Sequence, residues 1–142
     1  MEFSNARVII YHKQATSAKT LFLSINKSVC LFDGLPDLSS LLDLDAVSDD
    51  KVALHPAAII SDAEQRLGLD KGSLELDSEF QAEVDAPDQN LTIFLLRTMY
   101  VDPPRDEVAE HDGRFIAITE ARTYPQTELE LLRRAYEAIM EG

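Results

Sequence analysis

Arginine side chains are the feature of this sequence that most directly indicates a chemical role. All six cationic residues after position 95 are arginines. They are Arg97, Arg105, Arg114, Arg122, Arg133 and Arg134. A guanidinium group can hold a carboxylate or phosphate through two parallel hydrogen bonds, which a lysine cannot match. These residues predict a local site for an anion, although an ion pair with one of the 26 acidic residues is the commoner role of a single arginine.

The motifs that usually name a reaction are missing from the sequence. Its five glycines are isolated, which excludes a P-loop and a dinucleotide-binding fingerprint. His12, His55 and His111 lie on different segments beside a single cysteine, so zinc ligands are not clustered. No G-x-S-x-G elbow is present to position a nucleophilic serine. Cys30 lies in an apolar run and is predicted to be a buried thiol rather than a nucleophile.

The net charge of −13 argues against nucleic acids and membrane surfaces as partners, because the chain repels phosphate. Neither a membrane-spanning apolar run nor a secretory signal is visible, and a cytoplasmic location is the simplest expectation. The acidic run at 43–51 lacks the glycine and terminal carboxylate of a calcium-binding EF-hand loop. It is predicted to be a solvated loop.

The elements that would position these residues form one α/β domain over residues 1–142. Apolar runs predict strands at 7–13, 20–26, 29–32, 73–85, 91–101 and 114–119. Helical spacing predicts a short helix at 35–42 and longer ones at 55–69 and 127–140. Residues 1–52 thus supply strands, a short helix and the acidic loop, and residues 53–142 supply a helix, a hairpin, a strand and the closing helix.

The order of parts from Ala53 to Met140 resembles the Nudix hydrolase domain. The matching features are Gly68-Leu69 at a helix end, Phe94-Leu95 in a hairpin, an acidic Pro-containing loop at 102–110, Arg114-Phe115-Ile116, and the C-terminal helix. The resemblance covers about two thirds of the chain. It implies a mixed β-sheet sandwiched between helices.

The Nudix signature helix presents several glutamates that bind magnesium at a pyrophosphate group. When Gly68-Leu69 is aligned with the last two residues of that signature, Gln65 and Arg66 occupy the positions of its paired glutamates. Among the aligned charged positions, only Asp62 has a charge of the same sign as the signature residue. The resemblance therefore implies a degenerate site without the family's metal-dependent hydrolysis and without a cofactor. Arg66 at such a position would repel a cation and could hold an anion.

The main hypothesis is a domain that binds a small anionic or nucleotide-like ligand, or a protein partner, where hydrolysis would otherwise occur. Arg66, Arg97 and Arg114 are the candidate contacts with the ligand. Phe115 could stack on a base, although its place in an apolar strand favours the core.

Two other hypotheses remain open. The first is a magnesium-dependent pyrophosphohydrolase of the nucleoside-diphosphate type, with a rearranged carboxylate site drawn from Asp62, Glu64, Glu107 and Glu110. The second is an assembly protein that forms a homodimer through the apolar strand 91–101 or through the closing helix.

Overall fold

A mixed seven-stranded sheet with three helices forms the part of the chain that the computed structural model describes. The described residues are 6–14, 19–32, 34–36, 38–41, 56–77, 80, 82–87 and 90–141. The strands are β1 (Ala6–Lys13), β2 (Thr20–Ile25), β3 (Ser40–Leu41), β4 (Leu74–Leu76), β5 (Ala82–Asp85), β6 (Asn90–Thr98) and β7 (Gly113–Ile116). The helices are α1 (Pro56–Leu67), α2 (Arg105–Ala109) and α3 (Gln126–Glu141), with a 3₁₀ turn at Ile118–Ala121.

β6 is the centre of this sheet, whose strand order is β3-β5-β6-β1-β2-β7. One edge of β6 pairs in parallel with β1 over six residues, from Ala6 opposite Thr92 to Tyr11 opposite Arg97. Its other edge is shared by two short antiparallel strands, β5 and then β4. Because both edges are occupied, a second chain could pair with β6 only by displacing one of these strands.

The apolar residues of the central strands divide into two cores, as expected when successive side chains point to opposite faces. Ile9 and Leu95 pack on the face covered by α3, together with Leu131 and Leu132 of that helix. On the opposite face, Ile10 and Leu96 join apolar residues of α1 and α2. The prediction of an α/β domain is confirmed, and no helix within the described residues is long and apolar enough to cross a membrane.

The C-terminal end of α1 agrees with the prediction that Gly68 stops this helix. Gly68 has a φ of +68°, a backbone conformation that glycine adopts at little cost. The Leu69 N–H donates to the Glu64 carbonyl at 2.9 Å, and the Gly68 N–H donates to the Gln65 carbonyl at 3.3 Å. This pair of bonds is the Schellman arrangement, which satisfies carbonyl groups that the helix leaves without partners.

The predicted helix at 35–42 is wrong in its described part. Leu38 has a φ of +66°, which a right-handed helix does not allow, and Ser40–Leu41 forms β3. Ser40 and Leu41 pair with Asp85 and Val84 of β5, so a tertiary contact overrides the local leucine spacing.

The other differences from the predicted elements are smaller. The strand expected at 73–85 is divided into β4 and β5, and the strand expected at 114–119 ends at Ile116. The segment 29–32 contributes one isolated bridge, Val8 to Leu31, rather than a strand. The polar loop before β7 contains α2, which is too short to show an apolar period. The acidic run 43–51 and His55 lie outside the described residues.

A buried carboxylate fixes the first turn of α3 to the segment that follows β2. Glu128 is 3% exposed and accepts hydrogen bonds from the Val29 N–H at 2.9 Å and from the Ser28 hydroxyl at 3.0 Å. Burial raises the pKa of Glu128, while the bonds to Val29 and Ser28 act against that rise. Removing this acceptor would leave the buried Val29 N–H without a partner.

We expect Glu128→Ala to lower the free energy of unfolding by about 2 kcal/mol, because it removes charge-assisted hydrogen bonds and leaves a buried donor unsatisfied. The matched control is Glu130→Ala on the exposed side of the same helix, which should change stability by less than about 0.5 kcal/mol. Urea unfolding followed by circular dichroism measures both values. Equal effects of the two substitutions would show that Glu128 is not a structural anchor.

Candidate functional site

An open pocket of about 270 Å³ lies on the α3 face of the sheet. Its lining residues come from β1, β4, β6, the residue after β4, and the last turns of α3. They are Tyr11, Lys13, Glu75, Leu76, Asp77, Arg97 and Ile139. Four of these seven side chains are formally charged, so the pocket is suited to a polar ligand rather than an apolar one.

Strand register brings the polar residues of this pocket together. Tyr11 lies beside Arg97 in the parallel β1–β6 pair, and Glu75 lies opposite Arg97 in the antiparallel β4–β6 pair. Partners on neighbouring strands point to the same face, with Cβ atoms about 5 Å apart. Lys13 lies two residues after Tyr11, and Asp77 lies two residues after Glu75. Their side chains therefore point to that same face.

A hydrogen bond between Tyr11 and Asp77 forms the fixed part of the pocket wall. The Tyr11 hydroxyl donates to Asp77 Oδ2 at 2.9 Å. Burial, followed by the hydrogen bond to Asp77, raises the pKa of Tyr11 far above its ordinary value. Tyr11 therefore keeps its proton throughout the physiological range and acts as a hydrogen-bond donor, not as a base.

The charged side chains beside this pair are not engaged with one another. In the described part of the chain, no hydrogen bond or ion pair involves the side chains of Arg97, Lys13 or Glu75. Arg97 and Glu75 are exposed, and Lys13 is half-buried. The site thus combines a fixed Tyr11–Asp77 pair, in which the hydroxyl proton is held by the carboxylate, with two cations and one acid that have no protein partner among the described residues.

The structure does not bring the three predicted arginines to one site. Arg97 lies in the pocket, whereas Arg66 lies on α1 over the opposite face of the sheet. The guanidinium carbon of Arg66 is 4.7 Å from the centre of the Phe32 ring, and its Nε lies 3.4 Å from Asp62 Oδ2. Arg114 is exposed on β7, which β1 and β2 separate from β6.

Phe115 belongs to the core. It is 7% exposed, and its ring meets the buried ring of His12 edge-on at a centroid distance of 6.5 Å. A ligand base could not stack on it without displacing core side chains, so the interpretation of Phe115 as a core residue is confirmed. Cys30 is likewise fully buried, and burial raises the pKa of its thiol, as expected for an inert cysteine.

The four acids of the rearranged metal site have separate roles in the fold. Glu64 is 5% exposed, and its Oε2 accepts the backbone N–H groups of Gly72 at 2.8 Å and Leu74 at 3.2 Å. Asp62 pairs with Arg66. Glu107 lies on α2, and Glu110 is an exposed residue at the end of that helix. Among the described residues, no three His, Cys, Asp or Glu side chains are placed to hold a metal ion.

A scan against models of known protein families gives no match for this chain, and a search of curated proteins gives none either. The function therefore has to be argued from the chemistry of the site.

A second pocket, of about 470 Å³, lies beside α2 near the end of β6. It is lined by Gln14, Tyr100, Asp102, Pro103, Pro104, Arg105, Asp106 and Glu107. Three acids face a single arginine there, so its charge disfavours an anion. The pocket with Arg97 and Lys13 is the better candidate for the predicted anion site.

Sequence reasoning identified Arg97 but missed Tyr11, Lys13, Glu75 and Asp77. Tyr11 and Lys13 alternate at the end of an apolar strand, and Glu75 and Asp77 alternate at the start of another. That alternation shows that each pair shares a face. It does not show that both pairs meet Arg97, because this depends on the pairing of β1 and β4 with β6.

His12 is a fully buried polar residue of β1. Its Nδ1 shares a hydrogen bond of 2.6 Å with Thr98 Oγ1, and its Nε2 makes none within the described residues. Burial lowers the pKa of His12, and the charges of Arg97 and Arg105 act in the same direction, whereas the backbone of Val101 and the charge of Asp102 oppose them. The folded protein therefore holds this imidazole in its neutral form.

The lowered pKa of His12 predicts that the protein loses stability on mild acidification. Above the ordinary value of 6.5 both folded and unfolded chains hold neutral His12, and the stability it contributes is fully present. As the pH falls from 6.5 toward the lower folded pKa, the unfolded chain binds a proton that the folded chain does not. We expect the urea midpoint to fall over this range less steeply in His12→Gln than in the native protein.

The control for this measurement is His111→Gln, because His111 is exposed and no buried imidazole is removed. This variant should keep the pH dependence of the native protein. Glu128 has the opposite effect on stability, because its pKa is raised in the folded protein and it therefore adds stability as the pH falls. Each variant is compared with the native protein at every pH to remove this contribution. An unchanged slope in His12→Gln would contradict the assignment.

Proposed function

We propose that this protein binds a small anionic ligand in the pocket formed by Arg97 and Lys13, on a Nudix-like scaffold that does not carry out metal-dependent hydrolysis. The observation that carries the proposal is the convergence of these two cations beside the Tyr11 hydroxyl, with no protein partner for either charge in the described residues. An arginine and an ammonium group together suit a carboxylate or a phosphate.

Charge supports a local rather than a diffuse interaction with the anion. The whole chain carries −13, so its long-range field does not attract anions. At physiological salt this field is screened over about 8 Å, whereas direct contacts with a guanidinium group keep most of their strength. Binding at this site would therefore depend on the two cations themselves.

The size of the pocket favours a compact ligand. Its volume of about 270 Å³ is slightly below the usual lower limit of about 300 Å³ for small-molecule sites. A nucleotide would fill it with one end only and would extend over the open rim. The anionic part of the ligand is thus the part that the pocket would recognise.

The roles of the acids on α1 support a binding function without hydrolysis. Glu64 is committed to two backbone N–H groups, and Asp62 to Arg66. The positive charge of Arg66 lies where a Nudix signature would place a metal-binding glutamate, and it would oppose a divalent cation. The magnesium-dependent alternative would require these contacts to be broken.

Thermal shift and calorimetry with inorganic phosphate, pyrophosphate, nucleotides and dicarboxylates, each with and without magnesium, test the proposal. We expect a compact anion to raise Tm without magnesium, and Arg97→Ala to weaken its binding by about tenfold to a hundredfold, as for a charge-assisted hydrogen bond. The matched control is Arg122→Ala, because Arg122 is exposed, lies outside this pocket and donates to the nearby Thr119 carbonyl at 3.2 Å.

Binding that survives in Arg97→Ala but is lost in Arg66→Ala would move the ligand to the opposite face of the sheet. Turnover of pyrophosphate compounds in the presence of magnesium would replace the binding proposal with the hydrolase alternative. If no anion changes Tm, the pocket is not an anion site, and a role in binding a protein partner would take its place.

A further inference from the structure

The pocket carries a second carboxylate, that of Glu75, besides Asp77 and the two positive charges. Glu75 lies opposite Arg97 in the β4–β6 pair, is exposed, and forms no hydrogen bond or ion pair with the described residues. A site for a simple anion gains nothing from a carboxylate at this position, because like charges repel. The position of Glu75 therefore bears on the chemical class of the ligand.

An internal ion pair between Glu75 and Arg97 would be a weak competitor for a ligand. Opposite charges on facing residues of neighbouring strands can pair, but exposed pairs of this kind contribute about 0 to 1 kcal/mol. A ligand that contacts both residues replaces one such pair with two charge-assisted interactions. The Tyr11 hydroxyl gives its one proton to Asp77, so it can only accept a hydrogen bond from such a ligand.

We propose that the ligand is a small zwitterion, with a carboxylate or phosphate group bound by Arg97 and Lys13 and an ammonium group bound by Glu75. This inference rests on the proposed function and names the class of its ligand. The cross-strand spacing of about 5 Å between Glu75 and Arg97 suits two charges separated by a few bonds. The side chain of Ile139, on the same face of the sheet, supplies an apolar contact for the carbon chain between them.

A set of three linear probes of equal chain length tests the charge pattern by calorimetry. They are 5-aminopentanoate, which is a zwitterion, glutarate, which is a dianion, and 1,5-diaminopentane, which is a dication. We expect the native protein to bind 5-aminopentanoate about tenfold more tightly than either of the others, since one charge contact is lost in each. Inorganic phosphate is included as a compact anion without an ammonium group.

The decisive variant is Glu75→Gln, which keeps the shape of the side chain and removes its charge. It should weaken binding of 5-aminopentanoate by about tenfold while leaving glutarate and phosphate unchanged or slightly tighter. Glu130→Gln is the matched control, because Glu130 is an exposed acid on α3 outside this pocket, and it should change nothing. Glu75 is on the surface, so the substitution is not expected to disturb folding.

The outcomes separate this inference from the proposal on which it rests. If glutarate or phosphate binds as tightly as 5-aminopentanoate, and Glu75→Gln strengthens all three, the ligand is a simple anion and only the zwitterion inference is overturned. If 5-aminopentanoate binds equally well to the native protein and to Arg97→Ala, the anion site itself is wrong. If none of the probes binds at millimolar concentration, both proposals fail.

Discussion

The parallel pairing of β1 with β6 is the constraint on which the rest of the structure depends. Both strands are buried on both faces of the sheet. A shift of their pairing by one residue would therefore move each buried side chain to the opposite face. α3 packs on one of these faces, and α1 and α2 pack on the other. The last pair in the register, Tyr11 with Arg97, lies at the wall of the candidate pocket. Core packing and the geometry of the site thus both depend on the register of the β1–β6 pair.

Two buried glutamates show how an acidic chain can use carboxylates inside its fold. Burying a charge costs several kcal/mol unless hydrogen bonds compensate for lost hydration. Glu64 accepts the backbone N–H groups of Gly72 and Leu74 at the start of β4, and Glu128 accepts that of Val29 in the segment after β2. Neither segment has a complete set of strand partners at these positions. The two side chains therefore satisfy backbone groups that the sheet leaves without partners.

The sequence predicted well what depends on local periodicity, and poorly what depends on contacts between distant segments. The hairpin of β1 and β2, the end of α1 at Gly68 and the amphipathic α3 all follow from spacing and capping residues. β3 could not be predicted in this way, because its two residues form a strand only by pairing with β5. Arg97 was recognisable by its type, whereas its neighbours in the pocket lie 20 or more residues away and meet it only through the tertiary fold.

The shared edge of β6 has a consequence for how this domain could evolve. β4 and β5 pair separately with different parts of that edge, so the chain between them is not held to a fixed length by the sheet. Asp77 begins this connection and carries the carboxylate that orients Tyr11. Insertions or substitutions there would reshape one wall of the pocket while the strand pairs on either side persist. The shape of this pocket wall and the pairing of the sheet therefore depend on different residues, so the first can change without loss of the second.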